Sequence, residues 1–382
     1  MTAGPLDRRD RVRGCLLGGA LGDALGAPVE FESIGRIRRQ YGPGGLTGPV
    51  PDWRGKVGLI TDDTQMTLFT VEGLLRGGDV AAVRRAYLRW LDTQEHDAPP
   101  RSSTADGAGT GTGPGAADGA VRTGGLREQL WLYSQRAPGN ACLSGLRRLR
   151  AGAPPFVPAP SGEPGPVNRD SKGCGTVMRS APFGLAAPSA RHAFDLAADC
   201  AQITHGHPTG YLSAGAFAAL VHLLVEDGPP DQGEPLAWAV RETMDLLATY
   251  PAHEETTGAL RAAVRLAAEG GPTPERVESL GGAWVAEEAL AISVYCALLN
   301  PGPGDVGRAL LLAVNHSGDS DSTGAVCGNL LGALHGEAAL PGEWLAHLEG
   351  RDAVAELADD FAARFGDGHR AGDSWLARYP VP

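Results

Sequence analysis

The stretch GCLLGGALGDALG (residues 14–26) carries glycine at 14, 18, 22 and 26, in a segment whose other residues are almost all apolar. A four-residue step puts these glycines on one face of an α-helix. Each helical glycine costs about 1 kcal/mol relative to alanine, so the row needs a compensating contact. A bare ridge supplies one by letting another helix approach closely. The spacing returns in GAVCGNLLGALHG, at 324, 328, 332 and 336. Both rows are read as helix-packing surfaces. In membranes the same spacing joins spanning helices, but Asp23 and the short apolar length argue against that reading here.

Working outward, most of the chain has helical periodicity. VAAVRRAYLRWLD (80–92), HAFDLAADCAQIT (192–204), YLSAGAFAALVHLLVEDG (211–228), AWAVRETMDLLATY (237–250), GALRAAVRLAAE (258–269) and VAEEALAISVYCALL (285–299) repeat apolar residues at three- and four-residue steps. Alternating β-branched runs are nearly absent, which predicts an all-α fold. No internal repeat or second compositional block divides residues 1–382, so a single domain is expected. Residues 97–125, DAPPRSSTADGAGTGTGPGAADGAVRTGG, lack apolar periodicity and read as a mobile surface insertion. A second Pro- and Gly-rich loop, residues 153–170, leads straight into a motif and is expected to be partly ordered.

The 382 residues are 42% hydrophobic and 20% charged, enough for a sizeable core. The N-terminal stretch lacks a long apolar region with a cleavage site, and no run approaches the roughly 20 apolar residues that span a bilayer. A cytoplasmic location is expected. The six cysteines are scattered without CxxC spacing, which suits small buried hydrophobes in a reducing compartment. A formal net charge of −12 argues against an extended nucleic-acid surface. A small anionic ligand would need local positive charge from metal, backbone N–H groups or a few basic side chains.

Two oxygen-rich clusters each precede an apolar helix. In LITDDTQMTL (59–68), Thr61, Asp62, Asp63 and Thr64 stand side by side. A helix N-terminus needs only one capping side chain, so the surplus oxygens point to a hard cation. In NHSGDSDSTG (315–324), Asp319 and Asp321 are followed by Ser322 and Thr323. Clustered carboxylates without cations destabilise one another, and oxygen-only ligation selects Mg²⁺, Mn²⁺ or Ca²⁺ over zinc. If the loops converge, a two-metal centre is the natural inference. Glu30, just after the first glycine row, is a further candidate ligand.

In SKGCGTVMRSAPFG (171–184), Gly173 and Gly175 allow close backbone approach, and the residues after them can open a helix that favours an anion, with Lys172 and Arg179 nearby. His205 and His207 form an HxH pair with no third nitrogen or sulfur ligand at a usual zinc spacing. They are read as satisfied or substrate-contacting histidines.

In this order, GCLLGGALGDALGAPVEF, ITDDTQMTL, KGCGTVMRSAPFG, ITHGHPTG and NHSGDSDSTGAVCGNLLGALHG resemble the ADP-ribosylglycohydrolase family, from Gly14 to about Gly336. The resemblance implies an all-α orthogonal helix bundle with two Mg²⁺ or Mn²⁺ ions at the bottom of an ADP-ribose cleft. By similarity Thr61, Asp62 and Asp63 hold one ion, Asp319 and Ser322 the other, and Asp321 bridges them. Glu30 matches the family's mobile glutamate near the metals. Gly173, Gly175 and Met178 match the segment around the diphosphate, and His205, Gly139 and Asn140 match segments on the ribose side.

The resemblance implies hydrolysis of the bond between ADP-ribose and a modified side chain or related adduct, with Glu30, Asp62 and Asp321 in the chemistry. Arg179 and the glycine N–H groups are expected to help hold the anionic ligand. Ser322 keeps the hydroxyl that many relatives supply as threonine. Arg136, Ala137 and Pro138 precede Gly139, where arginine-directed relatives commonly have Asp and Ile. That removes a carboxylate able to pair with a leaving guanidinium. Two other readings remain: a non-catalytic ADP-ribose or nucleotide binder on the same scaffold, and a metal-dependent phosphohydrolase.

Overall fold

The computed structural model describes residues 6–52, 54–100, 123–152, 155–226, 228–229, 233–366 and 373–380. Most of the 97–125 stretch, residues 101–122, lies outside them, so the expected mobile insertion does too. Among the described residues there are seventeen α-helices and no strand beyond one isolated bridge between Gly173 and Val285. The fold is all-α, as the periodicity predicts. In chain order the helices are α1 (Arg8–Gly26), α2 (Ile34–Tyr41), α3 (Asp62–Arg76), α4 (Val80–Glu95), α5 (Asn140–Arg150), α6 (Ala181–Ala186), α7 (Ala190–Ala201), α8 (Pro208–Val225) and α9 (Pro235–Leu247). They continue as α10 (Glu254–Ala268), α11 (Pro274–Glu278), α12 (Ala286–Leu299), α13 (Val306–Val314), α14 (Ser320–His335), α15 (Gly342–Leu345), α16 (Arg351–Phe365) and α17 (Asp373–Arg378).

The two glycine rows pack on each other. A Cβ at Gly14 would overlap the Gly332 carbonyl, one at Gly18 that of Gly328, and one at Gly22 that of Gly324. Rising numbers on α1 thus meet falling numbers on α14, and the helices run antiparallel with backbones in contact. Asn329 on α14 donates its side-chain N–H to the Cys15 carbonyl at 2.8 Å, which fixes the register. From Gly14 to Gly26 every residue of α1 is buried, including Asp23.

Helix ends differ from the periodic segments where polar residues open a helix. Helix α10 starts at Glu254, ahead of the apolar pattern, because Glu254 and Glu255 favour the positive end of the helix dipole. Helix α8 starts at Pro208, whose missing N–H costs nothing in the first turn, with His207 accepting from the Thr209 N–H at 3.2 Å. By length and composition α8 could cross a membrane, but 94% of it is buried inside this fold. The second Gly/Pro-rich loop is held where it is described. Gly165 donates to the Gly206 carbonyl at 2.7 Å, and the Asn168 amide reaches the carbonyls of Ala141 and Thr204 at 2.9 and 2.8 Å.

Candidate active site

The α1–α14 pair brings both oxygen-rich clusters to one point. Thr61 caps α3 from extended backbone, its hydroxyl accepting from the Asp63 N–H at 3.2 Å, so Asp62 and Asp63 fall in the first turn. Asp319 caps α14 with its side chain too, accepting from the Ser322 N–H at 3.3 Å. The two N-termini meet: the Ser322 hydroxyl donates to Asp63 Oδ2 at 2.9 Å. Glu30 follows a short 3₁₀ turn, Ala27–Val29, beyond the end of α1. Carboxylate oxygens of Glu30, Asp319 and Asp321 lie within 4.8 Å of one another.

Asp23 is the residue that sequence reasoning missed. Both its oxygens accept from the Thr61 N–H at 3.0 Å, Oδ2 accepts from the Thr64 N–H at 3.1 Å, and the Thr64 hydroxyl donates to it as well. Six carboxylates, those of Asp23, Glu30, Asp62, Asp63, Asp319 and Asp321, are therefore buried together. Burial first, and the charge of Asp321 second, raise five of them: Glu30 is pushed up to about 11, Asp23 to about 7, and Asp62, Asp63 and Asp319 well above the usual carboxylate range. Burial likewise raises Asp321 itself.

Among the described residues, no lysine or arginine pairs with any of the six. A buried, all-oxygen donor set that lacks a counter-charge fits a hard divalent cation. Imidazole is absent from it, and the nearest sulfur, the Cys174 thiol, is engaged in donating to Asp319 Oδ2 at 2.7 Å.

A cleft of about 250 Å³ opens beside this centre. Of the residues predicted from sequence, Glu30, Asp62, Asp63, Asp319, Asp321 and Ser322 line its acidic floor. Gly139, Asn140, Gly173, Gly175, Met178 and His205 line the rest. Thr61 lies just outside, in an adjoining cleft. Gly175 is required by space, since a Cβ there would come within 2.8 Å of Cys142 Sγ and 3.1 Å of the His205 ring. The glycine loop runs into a single 3₁₀ turn, Val177–Arg179, in place of the expected helix start.

Arg179 is not in the cleft. It is 1% exposed, stacked over the Tyr87 ring at 4.7 Å, and bonded to the Tyr87 hydroxyl at 3.0 Å, to the Thr204 hydroxyl at 2.7 Å and to the Gly175 carbonyl. The expectation that it touches ligand is corrected: its donors are consumed in bracing the glycine loop from behind. The Thr204 hydroxyl and His205 Nδ1 share a hydrogen bond 2.7 Å long. The other ring nitrogen, Nε2, faces Gly173 and Gly175. Burial, with Arg179 beside it, lowers the His205 pKa to about 3, so the ring is neutral. Lys172 is also engaged elsewhere, with Glu255 and Glu287.

The ADP-ribosylglycohydrolase family model matches residues 4–370. The chain belongs to this family. Among ADP-ribosylglycohydrolases it is 27% identical to the ADP-ribosyl-dinitrogen reductase glycohydrolase of Rhodospirillum rubrum, over 89% of this chain and 90% of that one. It is 26% identical to the ADP-ribosylarginine hydrolase Tri1 of Pseudomonas putida (95% and 81% covered) and to the ADP-ribosylhydrolase ARH3 of Bos taurus (93% of each). A solved structure titled ADP-ribosylglycohydrolase-related protein complex superposes with a TM-score of 0.60 at 26% identity, covering 93% of this chain and 98% of the other. The family and these named relatives are ADP-ribosyl hydrolases.

Two aromatic residues at the rim of this ADP-ribosylglycohydrolase cleft carried no signal in the sequence. Phe31, 71% exposed, stacks on Trp284, 46% exposed, with ring centroids 5.6 Å apart. Exposed aromatics contribute nothing to a periodic pattern. Their role depends on two loops distant in sequence arriving at one place.

Proposed function

We propose that this protein is a metal-dependent hydrolase that cleaves the glycosidic bond between ADP-ribose and its acceptor, a modified protein side chain or related adduct, and releases ADP-ribose. The observation that carries the reading is six buried carboxylates with no basic partner among the described residues, beside a cleft walled by glycine backbone and a neutral histidine. Thr61, Asp62, Asp63, Asp319, Asp321 and Ser322 would hold two Mg²⁺ or Mn²⁺ ions. When bound, such ions would lower the pKa of a coordinated water and orient ribose hydroxyls.

The chain's own groups do the rest. Gly173 and Gly175 let an anionic diphosphate approach the backbone, and the neutral His205 ring faces it. Asp62 accepts from the Gly139 N–H at 3.4 Å, which ties the Gly139–Asn140 turn to the acidic floor. Water adds at C1″ as the bond to the acceptor breaks, through a transition state of oxocarbenium character. Glu30, on the boundary of the cleft, is placed to take the proton of the water or hand one to the leaving acceptor.

The test is a panel of arginine-, serine- and nucleobase-linked ADP-ribose substrates, assayed with Mg²⁺ or Mn²⁺ and again with chelator. Intact ADP-ribose, released only with metal, is the expected product. AMP and phosphate would identify a phosphohydrolase instead, and tight binding without turnover in saturating metal would identify a binding protein.

A further inference from the structure

Five of the six buried carboxylates are anchored by a donor. Asp23 accepts from the Thr61 N–H, Asp62 from the Gly139 N–H, Asp63 from the Ser322 hydroxyl, and Asp319 and Asp321 from the Ser322 N–H. Among the described residues, the Glu30 carboxylate accepts no hydrogen bond. It is nevertheless only 7% exposed, and lies within 4.8 Å of Asp319 and Asp321, whose like charge would drive it outward. It also stands where the glycine-walled cleft meets an adjoining cleft of about 580 Å³, the two sharing Glu30 and Ala137.

The next residue in the chain supplies an anchor. Phe31 leaves most of its surface to solvent, and its ring is stacked on Trp284, 18° from parallel with centroids 5.6 Å apart. Ordering an exposed aromatic side chain costs entropy, which the stack offsets. Trp284 in turn belongs to the frame of the site. Its carbonyl accepts from the Cys174 N–H of the glycine loop at 3.2 Å, and the Gly282 carbonyl accepts from the Asp319 N–H at 3.0 Å. Glu288 takes the Gly282 and Ala283 N–H groups at 2.9 and 3.1 Å. The indole lies against Gly282, where a Cβ would come within 3.1 Å of it. Beyond Phe31, the Ile34 N–H donates to the Ser317 hydroxyl at 2.7 Å, which ties the same loop to the chain just before Asp319. The ring stack is thus the link from the immediate neighbour of Glu30 to a loop fixed on both the glycine turn and the acidic floor.

We infer that Phe31 and Trp284 are positioning residues that act as one unit, holding the Glu30 carboxylate at the acidic centre for proton transfer. The inference rests on the hydrolase reading above, in which Glu30 moves the proton. Phe31 lines the adjoining cleft and not the glycine-walled one, so it acts through Glu30 without touching ADP-ribose. Loss of its ring should cost turnover and leave ADP-ribose affinity alone.

The experiment uses full-length protein with saturating Mg²⁺ and whichever linkage of the panel above is cleaved. Turnover is counted per ADP-ribose-binding site, from calorimetric titration of each variant, so that misfolded protein does not enter. Phe31→Ala is expected to lower kcat about tenfold, the effect of a displaced acid–base group, with the Kd for ADP-ribose equal to that of the parent. Phe31→Tyr keeps the ring and should keep the parental kcat. Trp284→Ala should lower kcat by a similar factor and the double variant by no more, because the stack is gone once either ring is removed. Parental kcat in Phe31→Ala would overturn the inference. So would single losses that multiply in the double variant, a Phe31→Tyr protein as slow as Phe31→Ala, or weakened ADP-ribose binding in Phe31→Ala, which would make the ring part of the binding site. A parent protein that cleaves nothing in the panel would instead remove the hydrolase reading, and this inference with it.

Discussion

Asp23 and Thr61 are joined by the carboxylate of one and the backbone N–H of the other, with both oxygens at 3.0 Å. This contact couples the glycine-lined helix α1 to the loop that presents Asp62 and Asp63. Asp23 also accepts from the Thr64 N–H at 3.1 Å, so its carboxylate serves several donors at once. Asn in its place keeps one acceptor and turns an NH₂ group toward those donors. Asp23→Asn is expected to weaken Mn²⁺ binding about 10- to 100-fold, as loss of an outer-shell partner does. Titration of Mn²⁺ followed by electron paramagnetic resonance reads this without reference to turnover, and unchanged affinity would remove Asp23 from the site.

The buried carboxylates give stability a distinctive pH dependence. Without cations, Asp23 is held at about 7 and Glu30 at about 11, above their ordinary values. The folded state then binds more protons than the unfolded one, so the stabilisation is complete at low pH and lost as pH rises through the folded values. His205 and His316 act oppositely. Burial lowers them to about 3 and about 4, and their contribution is lost as pH falls below about 6.5. From pH 6.5 to 8.5 the histidine contribution returns while the acids lose theirs, joined toward pH 8.5 by the cysteine thiols that burial also pushes up. Only the acids answer to Mg²⁺. In chelator the urea midpoint is expected to fall across this interval, and saturating Mg²⁺ should restore the midpoint most at pH 8.5. Equal midpoints at both ends, with and without Mg²⁺, would contradict the cluster.

Much of this site is legible in the sequence because helix caps and clustered oxygen donors share a signature. Thr61 to Asp63 and Asp319 to Ser322 are oxygen-rich residues set directly before apolar helices, and both prove to be helix N-termini. Asp23 is harder to read: a lone acid in an apolar helix looks like an interruption, and only the approach of α3 gives it donors. Arg179 misleads for the converse reason. A cation beside a glycine turn suggests an anion site, yet Tyr87 and Thr204, from other helices and loops, enclose it. The glycine rows announce close packing, but their pairing with each other depends on chain direction, which spacing does not encode.

That pairing predicts unequal costs for one chemical change. A Cβ at Gly22 would overlap the backbone of Gly324. Backbone cannot rotate away as a side chain can, so Gly22→Ala must separate α1 from α14 at a cost of about 3 kcal/mol or more. Gly258 sits exposed within α10 with open space around it. Gly258→Ala should stabilise by about 0.5–1 kcal/mol through the loss of chain entropy alone. Urea midpoints for the two variants test this, and a Gly22→Ala protein as stable as the parent would show that the helices do not touch.

The junction of the two clefts predicts a change of linkage. Ala137 lies there with φ of 55°, a left-handed conformation that alanine adopts at some cost and aspartate tolerates better. The residue before it is tethered, since Arg136 donates to the Ile60 carbonyl at 2.7 Å and its own carbonyl accepts from the Asp62 N–H at 3.3 Å. A new carboxylate at 137 would therefore enter a fixed backbone, beside Glu30, where the proposed reaction has the acceptor depart. It would attract a leaving guanidinium and offer nothing comparable to a leaving serine hydroxyl. Ala137→Asp is expected to raise the ratio of arginine-linked to serine-linked turnover by about tenfold, the effect of roughly 1.4 kcal/mol in the transition state. The ratio, measured on matched peptides in saturating Mg²⁺, should move in that direction whichever linkage the parent protein prefers. A ratio that stays fixed while both rates persist would place the leaving group away from residue 137.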